Sequence, residues 1–144
     1  DLALRGAVTD TVIELFKDAP FAWDGANCIN LAHAQGIAMG HNLPKVPSFN
    51  DAKGARKALK RMKVGSVAEL LDLWFKRRPA PAFAQIGDLL VLPGETELGR
   101  RDDKLAGVGI ADGRGNIFGW HGSQPERPGW VQFAQAEFVA AWAL

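Results

Sequence analysis

The sequence predicts an α+β fold in which N-terminal helices pack on a small antiparallel sheet. Three observations predict it. Apolar residues recur at helical spacing through the first half, to about Lys76. From Ile86 onward they gather instead in short runs bounded by glycine and proline, as strands do. Finally, helical and strand signals are segregated along the chain, whereas a parallel sheet of βαβ units would alternate them.

The first helix is expected over residues 9–17, where Val8, Val12, Leu15 and Phe16 form an apolar stripe and Thr11 with Glu14 reads as a capping box. Asp18-Ala19-Pro20 ends it. The second is expected over residues 27–39, because Cys28, Leu31, Ala32, Gln35, Gly36 and Met39 follow helical spacing along one side. Gly36 on that inward face implies close approach of another element, and Gly40 is a natural stop. Residues 50–63 read as a third helix, with Ala52, Ala55, Ala58, Leu59 and Met62 on one face, lysines and arginines on the other, and Gly65 as its end. Ser66-Val67-Ala68-Glu69 is a second capping box, opening a helix to about Lys76 with Val67, Leu70, Leu71 and Trp74 inward. Pro79 and Pro81 break the pattern.

Residues 87–92 then read as a buried strand ending at Pro93-Gly94, followed by a charged loop over 95–104. Residues 105–111 and 116–121 form a hairpin around Asp112-Gly113-Arg114-Gly115, whose glycines supply the positive φ such turns need. Residues 130–133 are a further strand, and residues 134–144 a closing helix or helix-strand. No internal repeat is present.

With 144 residues, 47% hydrophobic and 23% charged, the chain suits a single domain over residues 1–144, helical over about 8–78 and sheet over about 84–144. A net charge of +1 marks neither a nucleic-acid binder nor a membrane-surface protein. One cysteine excludes an internal disulfide and a CxxC metal site, and no cofactor or metal is expected. No apolar run approaches the roughly 20 residues that span a bilayer, and the N-terminus lacks the basic-then-apolar order of a signal peptide. A soluble chain without membrane insertion is therefore expected. Asp1 as first residue implies that a short segment, at least a methionine, precedes it.

Pro20-Phe21-Ala22-Trp23-Asp24-Gly25-Ala26-Asn27-Cys28 delivers the cysteine to the first turn of a helix, where unpaired N–H groups and the macrodipole favour a thiolate. A nucleophilic Cys28 also needs a base within hydrogen-bond reach. His33 lies about 140° around the helix from Cys28, at about 100° per residue, and cannot serve. His41 lies beyond the helix end and reads as a surface or loop-packing residue. His121, after the second hairpin strand and on the face of Gly119, is the remaining candidate base. The competing reading makes Cys28 a small apolar residue at the start of a core helix. Asp88 reads as a strand-start residue bonding local backbone. Trp23, Trp74, Trp120, Trp130 and Trp142 read as core or interface, with a sugar-stacking groove as the alternative.

The basic face of the third helix offers Lys53, Arg56, Lys57, Lys60 and Arg61, continued by Lys45, Lys63, Arg77 and Arg78. It is either a solvated helix face or a docking surface for an acidic partner. Phosphate binding is a third reading, but no aromatic residues interleave with the charges, so nucleic acid is not expected.

The order of these features resembles the NlpC-type cell-wall cysteine peptidases of the papain-like superfamily, and more closely a family of NlpC-like domains encoded among phage and prophage tail genes. The residues that carry it are Trp23 and Asn27-Cys28, Gly36 with Gly40-His41-Asn42, Ala52 to Leu59 with Gly65, Ala84 to Val91, Gly107 to Gly113, and Ala141-Trp142. In the active peptidases the nucleophile sits in Asp-Cys-Ser, the base is a histidine just before Val-Gly-Ile, and a polar third residue lies on the next strand. Here Asn27 stands for the aspartate, Ile29 for the serine, Gly107 for the histidine, and the third position falls near Gly119.

The resemblance implies a papain-like α+β fold with a degenerate active site, in a structural or accessory protein of the virion tail tip. Such a protein is made in the host cytoplasm and contacts other tail proteins. The alternative it implies is an active cysteine hydrolase cutting peptidoglycan stem peptides during genome delivery, with Cys28 as nucleophile and His121 or a partner's residue as base. A third is a cell-wall binding module that uses its tryptophans.

Overall fold

The structure is a computed structural model and describes residues 1–92, 105–120, 127–135 and 137–144. Four helices come first: α1 (Leu2–Phe16), α2 (Cys28–Ala38), α3 (Ala52–Arg61) and α4 (Val67–Trp74). Six strands follow: β1 (Lys76–Arg77), β2 (Leu89–Val91), β3 (Val108–Ala111), β4 (Asn116–Gly119), β5 (Gly129–Gln132) and β6 (Ala140–Ala143). They form one sheet in the order β1-β6-β2-β3-β4-β5, and every pairing is antiparallel. The segregated α+β class read from the sequence is the one observed.

Register decides which side chains meet the helices. Leu89 pairs with both Trp142 and Ile110, and Ile110 pairs with Phe118, so these four form one row across the sheet. All are fully buried, in a core shared with Val12, Ile29, Leu31, Leu59, Leu70 and Leu71 from the helices. Period-two alternation sends Leu90, Ala111, Ile117 and Ala141 to the opposite face. There Phe133 and Phe138 stack, their centroids 5.3 Å apart, and help cover a second, smaller cluster.

Two buried polar groups tie the layers together. Asp88, 0% exposed, accepts hydrogen bonds from Arg5 (2.9 Å), Arg78 (2.9 Å), the Gln85 N–H (2.8 Å) and the Leu144 N–H (3.2 Å). It therefore joins α1, the segment after β1, the start of β2 and residue 144. Gln35 on α2, also buried, donates from Nε2 to Thr9 Oγ1 of α1 and to the Gly87 carbonyl ahead of β2, each at 3.1 Å.

Several boundaries differ from expectation, each for a local reason. The first helix starts at Leu2, with the Asp1 carboxylate accepting from the Ala3 and Leu4 N–H groups, so Thr11 does not cap it. Thr11 instead donates to the Ala7 carbonyl inside the helix. The inward stripe is Thr9, Val12 and Ile13, because Thr9 turns in to meet Gln35, and Leu15 is left 74% exposed. The third helix ends before Gly65: Lys63 takes the left-handed conformation (φ 64°) and the Val64 N–H closes back on the Leu59 carbonyl. Gly65 serves the next helix, its N–H donating to the Glu69 carboxylate while Ser66 Oγ accepts from the Glu69 N–H.

The fourth helix stops at Trp74, and Lys76 and Arg77 pair with β6 instead of extending it. The C-terminal segment holds a 3-10 turn (Phe133–Gln135) and then β6, which inserts between β1 and β2. A closing strand in the sheet interior explains the run Ala140-Ala141-Trp142: a central strand is buried on both faces. The expected hairpin is present, with Gly113 at φ 79° and Gly115 at φ 85°. The expected turn at Pro93-Gly94 and the charged loop over 95–104 lie outside the described residues.

Candidate functional site

Asn27 sets the position of Cys28. Its extended backbone and side-chain oxygen, which accepts from the Asn30 N–H at 3.0 Å, make it the N-cap of α2. Its amide nitrogen turns the other way and donates toward the carbonyls of Ala22 (3.3 Å), Trp23 (3.1 Å) and Gly25 (3.2 Å). Asn30 adds a bond to the Gly25 carbonyl at 2.7 Å. One buried amide thus fixes both the helix start and the loop leading to the cysteine. An aspartate at 27 would keep the cap but could not donate to those carbonyls.

Cys28 is then the first residue of α2, unpaired and partly buried. It faces a small cleft of about 50 Å³ walled by Phe21, Trp23, Phe49, Val67, Leu105 and Ala106, with Asn27 and Ile29 beside it. The walls interlock: Phe21 and Trp23 meet edge to face at 4.9 Å, and Trp23 meets Phe49 at 6.4 Å. Burial in this apolar setting pushes the Cys28 thiol above its ordinary value of 9.0, although the N–H groups of Val108 and of Cys28 itself favour the thiolate. Desolvation outweighs the helix terminus here.

Val108 therefore brings the start of β3 against the sulfur, and the residue before it is Gly107. A Cβ built at Gly107 would meet only ordinary contacts, 3.8 Å from the Trp120 carbonyl and 4.0 Å from Leu92. Space is not what forbids a side chain at 107. Gly119 is different. It pairs directly with Gly109, and a Cβ there would lie 2.7 Å from the Val108 carbonyl oxygen, so a polar third residue has no room without moving backbone. No histidine, aspartate or glutamate is among the described residues lining the cleft.

The histidines lie elsewhere. His33 bonds the Pro44 carbonyl at 2.9 Å and meets the Trp74 ring edge to face, and His41 packs on the Phe75 ring at 4.9 Å. Both therefore pack against aromatic neighbours, His33 from α2 and His41 from the chain beyond its end. His121, the expected base, lies outside the described residues. Asp88 bonds the local backbone as expected, yet its two arginine partners make it an architectural hub.

The basic residues Lys53, Arg56, Lys57, Lys60 and Arg61 are all exposed along α3, while Ala55, Ala58 and Leu59 are buried behind them. Trp120 and Trp142 are core, Trp23 and Trp74 are partly buried, and Trp130 is 53% exposed. Sequence reasoning missed Phe49, Val67, Leu105 and Ala106 as cleft walls, since they come from loops and a helix start far apart in the chain. The aromatic pair Phe21 and Trp23, so close before Cys28, was the signal for the remainder.

No helix among the described residues is long and apolar enough to cross a membrane, and no group of three or more histidine, cysteine, aspartate or glutamate residues among them could hold a metal. No curated protein matches the chain significantly. A family profile matches residues 5–144, nearly the whole sequence, and the chain belongs to that family, a domain of unknown function designated DUF6950.

Proposed function

We propose that this domain is a catalytically silent, papain-like module of a phage tail, working at or near the tail tip through protein–protein contacts. The observation that carries the reading is the surroundings of Cys28. The cysteine opening a helix against the start of a β-strand supports the papain-like reading, while the described residues around it are apolar apart from Asn27 and burial raises its thiol above the ordinary value. Amide cleavage needs a group that takes the thiol proton and returns one to the leaving amine. Gly107 supplies no such group.

Contact surface is then the function. The exposed cations of α3 suit an acidic face on a neighbouring tail subunit, because clustered charge steers association and disfavours wrong partners. The virion setting rests on the resemblance of the sequence to domains encoded among tail genes.

The test is assembly. Virions carrying Cys28→Ala are expected to assemble and infect as the parent does. A Lys53→Glu, Lys57→Glu, Lys60→Glu variant that keeps its melting temperature is expected to lose incorporation into tails. Lysis of purified sacculi by the parent chain, abolished in Cys28→Ser, would establish the hydrolase instead.

A further inference from the structure

A second concavity lies away from Cys28, where α1, the β3–β4 turn and the edge of β5 converge. It has a volume of about 240 Å³ and is lined by Asp10, Ile13, Asp112, Arg114, Asn116 and Trp130. Its components are independent of the fold's main polar links. Asp10 and Ile13, three residues apart, share one face of α1. Phe118 and Trp130 are register partners, and Phe118 supports the Trp130 ring at 5.2 Å, so the indole is held as a platform while half its surface stays exposed.

The turn on the polar side is held by its own backbone N–H groups. The Asp112 carboxylate accepts from the N–H groups of Arg114 (2.7 Å) and Asn116 (3.2 Å), which locks the turn. Gly113 presses that turn against Ile86, where a Cβ would come within 2.9 Å of the side chain. The turn backbone is thus fixed, and Asp112, Arg114 and Asn116 line the concavity beside one exposed indole.

We propose that this concavity binds a neutral saccharide. A pyranose has an apolar C–H face and a rim of hydroxyls, which match an aromatic platform bordered by hydrogen-bond donors and acceptors. Two carboxylates against one guanidinium leave the site anionic, which disfavours a phosphate or an acidic sugar. The volume falls below the roughly 300 Å³ at which drug-sized pockets begin, and so suits a single sugar ring.

The experiment follows the Trp130 indole N–H by NMR, assigned with Trp130→Phe, while maltotriose, cellotriose, triacetylchitotriose and, as the acidic comparison, trigalacturonate are titrated to millimolar concentrations. At least one neutral trisaccharide is expected to shift the signal saturably, and trigalacturonate to leave it unmoved. Trp130→Ala is expected to weaken binding by about tenfold or more, measured by calorimetry. Asp10→Asn, at an exposed helix position, should weaken it without changing the fold. Three results overturn the proposal: no neutral saccharide moves the indole signal, trigalacturonate binds best, or affinity survives in both variants.

Discussion

Replacing Asp88 by alanine removes the group on which three distant parts of the chain converge. Arg5 and Arg78 each lose a carboxylate partner at 2.9 Å, and the Gln85 and Leu144 N–H groups lose their acceptor. Breaking a buried ion pair from one side costs about 3–5 kcal/mol, because charge is left without compensation. The arginine side chains keep 20% and 24% exposure, and Arg5 still donates to the Ile86 and Leu144 carbonyls, so water and backbone recover part of the loss. A decrease of about 3 kcal/mol follows. For a chain of this size that lowers the melting temperature by about 6–12 °C.

Urea denaturation read by far-UV circular dichroism gives the free energy directly, as a shift in midpoint at constant slope. Because the carboxylate is fully buried, the parent–variant difference should barely change between low and high salt. A decrease below about 1 kcal/mol, or one that disappears in salt, would refute the hub assigned to Asp88.

Two other outcomes follow from the side-chain hydrogen bonds of Asn27 and Asp72. Asn27→Asp should retain α2, since the cap survives, but lose about 1–3 kcal/mol in the same denaturation assay as carbonyls of Ala22, Trp23 and Gly25 face a carboxylate. An unchanged midpoint would show that the amide does not hold the loop. Asp72 carries a carboxyl held below its ordinary value of 3.8, chiefly by the hydrogen bond from Arg77 and further by that from the Trp142 indole. A lowered folded value means stability present above 3.8 and lost as pH falls from there through the folded value. Thermal melts in that acid range should decline less steeply for Asp72→Asn than for the parent, and equal slopes would contradict the assignment.

The helical half was the more legible part of the sequence because its signals are local. Asn27, Ser66 and Gly40 act where capping rules place them. Gly36 marks a close approach: a Cβ there would lie 2.7 Å from both Leu43 and Phe75. Where a tertiary partner changed the answer, local reading failed. Thr9 is buried where Gln35, on another helix, donates to its hydroxyl.

The C-terminal strand shows the same limit. Ala140-Ala141-Trp142 has no alternating pattern, and only insertion between β1 and β2 accounts for its burial on both faces. At the cleft, the sequence supplied Cys28, Gly107 and Gly119 in order. It could not supply the walls, or the reason for each glycine. Gly119 is sterically required, whereas Gly107 is not.

The most direct test of a silent Cys28 is the pH dependence of its alkylation by iodoacetamide in the folded chain. Because burial raises the thiol above 9.0, the rate should be slow at neutral pH and climb with a single ionisation beyond that value. A fast reaction that has already reached its plateau near neutral pH would reveal a stabilised thiolate and contradict the account.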